Sequence, residues 1–250
     1  MTNNNIYFIA NWKMHGNTGD INRCASVIKL ANLKKYKNKK IIYCPPYTLL
    51  KTFYNKVKNS NISIGAQNCH SNSKFGSFTG SINSKLIKST GANYVILGHS
   101  ESRGSGDTNY IINKKIHSAL KENLKVIFCI GEKLSEKRKN VTYQVLRKQL
   151  NIGLKGIKKF NKIIVAYEPV WSIGTGVIPK NLELIKNLKS IKKILLKLKR
   201  SVNIKILYGG SVNPKNAKEL AQIKEINGFL VGGASLSAKK FIDIIKKSTN

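Results

Sequence analysis

The sequence predicts a single α/β domain over residues 1–250, a closed (β/α)8 barrel of parallel strands. Three observations predict it. Short apolar runs rich in β-branched and aromatic residues recur eight times, each ending in a Gly, Pro or polar cluster. Segments with helical spacing of apolar residues lie between them. The turn after the first run is Asn11-Trp12-Lys13, which lacks the glycine-rich fingerprint usual in an open doubly wound sheet. At 250 residues and 41% hydrophobic content there is enough apolar material for one large closed core.

The runs are residues 6–10, 41–44, 62–66, 94–97, 126–130, 163–167, 204–208 and 229–231. Most are unbroken apolar stretches, as expected of strands covered on both faces of a parallel sheet. Residues 20–33 follow the first run, with Ile21, Val27, Ile28 and Leu30 on one face. Residues 48–58 carry Leu49, Leu50, Phe53 and Val57, and residues 82–89 make a short helix. Residues 109–123 carry Ile112, Ile116 and Leu120, and residues 141–159 carry Val145, Leu150, Leu154 and Ile157. Residues 181–199 carry Leu184, Leu188, Ile191 and Leu195; residues 217–223 are short; residues 237–247 carry Phe241, Ile244 and Ile245. Strand and helix alternate throughout, which is the pattern of an α/β barrel. No linker or internal repeat beyond this alternation interrupts it.

Charge and composition exclude several classes. No run of about 18 apolar residues suggests a transmembrane helix. The opening Met1-Thr2-Asn3-Asn4-Asn5 lacks the basic start and apolar stretch of a secretory signal. The cysteines Cys24, Cys44, Cys69 and Cys129 show neither CxxC spacing nor a zinc pattern, so a reduced, cytoplasmic compartment and no metal are expected. The net charge is +34, from 45 Lys+Arg against 11 Asp+Glu. Two readings account for it: solvated helix faces in a chain of AT-rich codon usage, or a nucleic-acid or membrane-surface binder. Only five of the basic residues are arginine, and lysines occur along the whole chain, whereas a nucleic-acid surface more often uses arginine with aromatics nearby. We therefore expect no specific nucleic-acid or membrane partner.

In such a barrel the chemistry sits on the loops after the strands. Asn11 and Lys13 follow the first run. His99, Ser100 and Glu101 follow the fourth, and Glu168 follows the sixth, ahead of Pro169 to Gly176. Gly209-Gly210-Ser211 and Gly232-Gly233 follow the last two. Taken singly, each has a plain structural reading: a strand-end His as a satisfied polar group, Glu beside Pro as a cap, Gly-Gly as a turn. Tyr208 reads as strand packing and Cys129 as a small buried residue. Jointly they set a base, an imidazole, a cation and two anion-holding turns around one mouth. A proton shift beside the carbonyl of a phosphorylated sugar requires that set.

These residues stand in segments that resemble the triosephosphate isomerase family, in the family's order and along nearly the whole chain. The segments are Ala10-Asn11-Trp12-Lys13-Met14, Gly65-Ala66-Gln67-Asn68, Phe78-Thr79-Gly80, Tyr94 to Glu101, Cys129-Ile130-Gly131-Glu132, Ala166 to Trp171, Ile173-Gly174-Thr175-Gly176, Tyr208 to Val212 and Gly228 to Leu236. The resemblance implies a TIM barrel that interconverts dihydroxyacetone phosphate and glyceraldehyde 3-phosphate through an enediolate, with no cofactor and as a homodimer. It implies Glu168 as the base, His99 as the neutral imidazole that polarises the carbonyl, and Lys13 as the stabilising cation. Asn11 would orient Lys13, and Glu101 would contact it. Residues 169–178 would form a lid, and Gly174, Ser211, Gly232 and Gly233 would hold the phosphate. Thr79 would reach into a second subunit. The rival readings are a decayed barrel serving as a polycationic binder, and a different phosphate-binding barrel isomerase such as an indole or histidine pathway enzyme. The intact Asn11, Lys13, His99 and Glu168 oppose the first, and Tyr167 to Trp171 opposes the second. The chain departs from the family at Ser102, where a first arginine is usual, at Asp107, where Glu is usual after a stretch one residue longer, at Ser81, and at the lid end Val177-Ile178-Pro179.

Overall fold

The computed structural model describes residues 6–199 and 203–249. The opening residues Met1–Asn5, on which the absence of a signal was read, lie outside them. The strands are β1 (Tyr7–Asn11), β2 (Lys40–Cys44), β3 (Ile62–Ala66), β4 (Tyr94–Leu97), β5 (Lys125–Ile130), β6 (Ile163–Tyr167), β7 (Lys205–Tyr208) and β8 (Gly228–Val231). They close in sequence order, β1 pairing in parallel with both β2 and β8. The helices are α1 (Ala25–Asn32), α2 (Leu50–Val57), α3 (Ser84–Ser89), α4 (Ser100–Gly104), α5 (Asn109–Lys121), α6 (Leu134–Arg138), α7 (Thr142–Gly153), α8 (Asn181–Leu198), α9 (Ala217–Ala221) and α10 (Ala238–Lys247).

Most expected elements lie within a residue or two of their observed bounds. Three helical stretches come out shorter. The first resolves into a 3-10 turn, Gly19–Cys24, followed by α1. The second likewise opens as the 3-10 turn Tyr47–Leu49. The stretch expected over 141–159 is helical only to Gly153, because Asn113 of α5 donates to the carbonyls of Gly153 and Lys155 and so satisfies the helix end early. Helices α4 and α6 were not expected; each is a five-residue turn, too short to show a period.

The apolar residues divide by strand parity. Ile9, Ile42, Ile96, Ile127, Ile164, Leu207 and Leu230 fill the barrel's interior together with Cys44, Tyr94, Cys129 and Ala166. Their neighbours Phe8, Tyr43, Val95, Phe128, Val165 and Phe229 pack outward against the helices. Side chains alternate with period two along a strand. The inward row of β1, Ile9, therefore continues to Asn11, and that of β6, Ile164 and Ala166, continues to Glu168. The same rule leads Leu207 to Gly209 and Leu230 to Gly232. The packing that fills the barrel thus aims the last residues of these rows at its mouth.

Candidate active site

At the end of β1 the chain turns sharply. Lys13 has φ +54, a left-handed conformation that costs a non-glycine residue about 1 kcal/mol or more. Local hydrogen bonds hold it there. The Lys13 N–H donates to Asn11 Oδ1 at 3.1 Å, and Gln67 Nε2 donates to the Lys13 carbonyl at 2.7 Å and to that of Cys44 at 2.9 Å. The Lys13 ammonium then reaches Glu101, with Nζ 2.6 Å from Oε1. Partial burial pushes the Glu101 carboxyl up, but the Lys13 hydrogen bond, the His99 ring and the Lys13 charge outweigh this and leave it below its ordinary value.

His99 caps α4. Its Nδ1 accepts the Glu101 N–H at 3.3 Å, so Nδ1 carries no proton in this arrangement and Nε2–H is the donor. That Nε2 lies 3.6 Å from Glu168 Oε1. Arg103, the one arginine kept after Glu101, donates to Gly98 O, Asn109 Oδ1 and Cys129 O, and so ties the end of β4 to β5. Asp107, at the end of the shortened stretch, accepts from Lys115 Nζ at 2.7 Å through both oxygens, and Lys115 also donates to Asn68.

Glu168 is buried, and its Oε2 has no hydrogen-bond partner. Burial pushes its carboxyl up, against the pull of the His99 ring, the Cys129 thiol and Lys13, and the net direction is upward. Gly209 permits this placement. A Cβ there would stand 2.6 Å from Glu168 Cγ and 3.0 Å from Oε1. Gly131 does the same for the backbone, where a Cβ would fall 1.8 Å from the Glu168 carbonyl oxygen.

After Glu168 the chain arches over the mouth. Trp171 Nε1 donates to Glu132 Oε1 at 2.9 Å, and Tyr167 Oη donates to the same carboxylate. Lys137 Nζ sits 3.6 Å from the centre of the Trp171 ring and pairs with Glu183 of α8. The arch descends onto Ser211, whose Oγ accepts the Gly176 N–H at 3.0 Å and donates to the Ser172 carbonyl at 2.7 Å.

A cavity of about 240 Å³ lies under the arch. Asn11, Lys13, His99, Glu168, Gly174, Ser211, Gly232 and Gly233 all line it. The sequence thus names eight residues that the fold brings together from the ends of five strands. Two expected residues lie elsewhere. Glu101 is largely exposed and meets the site through Lys13 and His99, and Thr79 is exposed on the loop after β3. The cavity is small and combines a cation, an unpaired carboxylate, an imidazole donor and glycine turns without Cβ atoms. It suits a small anionic molecule undergoing proton transfer.

A family model described as Triosephosphate isomerase matches residues 6–248. The chain belongs to the triosephosphate isomerase family. It is similar to the triosephosphate isomerase of Dictyoglomus turgidum, with 41% identity over 95% of this chain and 97% of that one. The triosephosphate isomerase of Aquifex aeolicus is 38% identical over 94% of this chain and 96% of its own. The crystal structure of triosephosphate isomerase from Bartonella henselae superposes with a TM-score of 0.90 at 31% identity, covering 98% of this chain and 99% of that one.

Against this family background, sequence reasoning passed over three working residues. Glu132 is fully buried, takes Trp171 and Tyr167 as donors, and anchors the arch; burial raises its carboxyl, with those donors opposing. Its signal was present: it is one of 11 acidic residues and follows β5 as Glu168 follows β6. Gln67 braces Lys13, and Ser172 is buried under the arch. Neither carries a charge to mark it, although Gln67 directly follows β3.

Proposed function

We propose that the chain interconverts dihydroxyacetone phosphate and glyceraldehyde 3-phosphate, with Glu168 as the base and residues 1–250 acting as one domain. The observation that carries this reading is the buried carboxylate of Glu168, with one oxygen unpaired, facing a cavity it shares with the His99 donor and the Lys13 ammonium. A desolvated, unpaired carboxylate is a stronger base than a solvated one, and its free oxygen is ready to accept a proton from carbon.

The proton accounting closes without a co-reactant. Glu168 takes a proton from the carbon beside the substrate carbonyl, and the electron pair moves onto the carbonyl oxygen. His99 Nε2–H donates to that oxygen and carries the hydroxyl proton from the oxygen of one carbon to that of the other, and the Lys13 ammonium offsets the enediolate charge. Asn11 holds Lys13 in its turn. The protonated Glu168 then returns the proton to the adjacent carbon. Ser211, Gly174, Gly232 and Gly233 would hold the phosphate, whose binding energy acts away from the reacting carbons. A Cβ built at Gly232 would lie 3.7 Å from Lys13 Cε, so cation and phosphate turn are neighbours. The arch over 169–178 keeps water from the intermediate.

A homodimer is the assembly this reading favours. Met14, beside Lys13, is 95% exposed, and Phe75 and Phe78 on the loop carrying Thr79 are 63% and 47% exposed. Apolar side chains this exposed near a site ask for cover, and a second copy supplies it. Cytoplasmic residence is supported by four free, buried cysteines. Among the described residues no helix is long and apolar enough to cross a membrane. A coupled assay with glyceraldehyde 3-phosphate tests the activity, and sedimentation with activity read on dilution tests the dimer. An inactive protein, or a fully active monomer, refutes the corresponding claim.

A further inference from the structure

Ser172 stands between the two resembling segments 166–171 and 173–176 and belongs to neither. It is fully buried. Its Oγ donates to the Val177 carbonyl at 2.6 Å, which uses its only proton. The Tyr208 hydroxyl, 3.1 Å away, must then donate to Ser172 Oγ, and the Ser211 N–H approaches the same oxygen at 3.4 Å. One hydroxyl thus has its full complement of one donated and two accepted bonds. Its partners come from the far end of the arch, from the end of β7 and from the phosphate turn. Pro179, where the arch rejoins the body, has no N–H to offer. Ser172 is the partner found for the Tyr208 hydroxyl, on a residue that is itself fully buried.

We infer that Ser172 is a positioning residue for the reaction: its hydroxyl latches the closed lid by joining both lid ends to Tyr208 and Ser211. The inference rests on the isomerase reading and deepens it. These bonds exist only while the lid is down. When the lid lifts, water satisfies the same groups, so loss of the hydroxyl penalises the closed state and spares the open one. An enediolate under an open lid has a second exit. Its C–O bond to phosphate breaks, the electron pair leaves with the phosphate, and the resulting enol takes a proton on carbon to give methylglyoxal. No oxidant or reductant is needed. The latch therefore governs how many intermediates return as triose phosphate.

The test compares wild type, Ser172→Ala, Tyr208→Phe and the double variant, measuring turnover, KM and released inorganic phosphate. Ser172→Ala is expected to lower kcat roughly tenfold, the worth of one to two net hydrogen bonds lost only from the closed lid. KM should stay within roughly threefold, because the residues that hold the phosphate are themselves unchanged. The fraction of turnovers ending in phosphate and methylglyoxal should rise by a similar factor, and the double variant should cost less than the product of the singles. Amide exchange over residues 169–178 reads the latch without turnover and should quicken in Ser172→Ala. A variant with wild-type kcat and wild-type phosphate loss, fully multiplicative singles, or unchanged exchange overturns the latch. The wild type is the control: inactivity there strikes the isomerase reading, whereas an active wild type beside an unaffected Ser172→Ala strikes only the role of Ser172.

Discussion

Two buried carboxylates close adjacent strands, Glu132 beyond β5 and Glu168 beyond β6, and their surroundings assign them opposite work. Both are withdrawn from water, and burial raises both carboxyls. Glu132 has its oxygens occupied by Trp171 and Tyr167, and Asn187 in turn supports the Tyr167 hydroxyl. It is a fixed anchor for the lid's entry. Glu168 keeps Oε2 unpaired, and a glycine at 209 keeps its space clear. Equal burial thus gives a structural acid in one case and a poised base in the other. Donor supply decides which.

The sharpest way to break this contrast is to remove each carboxylate. Glu168→Gln should lower kcat by about a thousandfold, the range of a lost general base, while a phosphate analogue still binds. Glu132→Ala should lower kcat by only about tenfold, because it frees Trp171 and Tyr167 and loosens the lid without touching proton transfer. Equal losses in the two variants would erase the distinction.

Acidity gives the next effect. Glu168 must be ionised to act, and its carboxyl lies above the ordinary Glu value. kcat/KM should therefore fall about tenfold per pH unit on the acid side, with a midpoint above that of an ordinary glutamate. A limb centred at or below the ordinary value would show that Glu168 is not desolvated in solution.

Stability should separate the pair in sign. A carboxyl raised in the folded state contributes most to stability below its unfolded value, and that contribution is lost as pH rises through the folded value. Glutamine mimics the protonated form. Glu168→Gln should thus unfold later than wild type at neutral pH by about 1–3 kcal/mol, the penalty of one unpaired buried acceptor, and the gap should close in acid. Glu132→Ala should unfold earlier, leaving the buried Tyr167 hydroxyl and the half-buried Trp171 N–H without their acceptor. Denaturant titrations at two pH values check both signs.

Much of this was legible in sequence because strand parity carries information past the strand end. The inward rows of β1 and β6 lead to Asn11 and Glu168, and the glycine pairs after β7 and β8 mark turns by composition alone. Residues that act through others were not legible. Glu132, Gln67 and Ser172 depend on partners 39, 54 and 36 residues away, and no local pattern records such distances. Helix α4 was missed for a related reason: its cap is a histidine side chain rather than a Ser, Thr, Asp or Asn. The lysine surplus remains outside this logic, since the lysines are spread over exposed helix faces, loops and element ends along the whole chain.

The smallest effect concerns that surplus. A net charge of +34 should draw a phosphorylated substrate toward the mouth. As the Debye length shrinks from about 30 Å at 0.01 M salt to about 10 Å at 0.1 M, kcat/KM should fall while kcat under the closed lid changes little. A bulky, poorly binding anion separates screening from competition at the phosphate turns. A flat profile with that anion leaves the lysines without a steering role.

The most direct test of Glu168 as the base follows the hydrogen rather than the rate. Triose phosphate is incubated with the protein in deuterium oxide, and deuterium on the carbons beside the carbonyl is read by NMR. The wild type should place deuterium there, since a proton held on a carboxylate during the enediolate's lifetime exchanges with solvent. Glu168→Gln should bind the substrate yet incorporate deuterium no faster than buffer, while Glu132→Ala should still incorporate it. Wild-type incorporation by Glu168→Gln would contradict the account, because some other group would then be removing the carbon-bound proton.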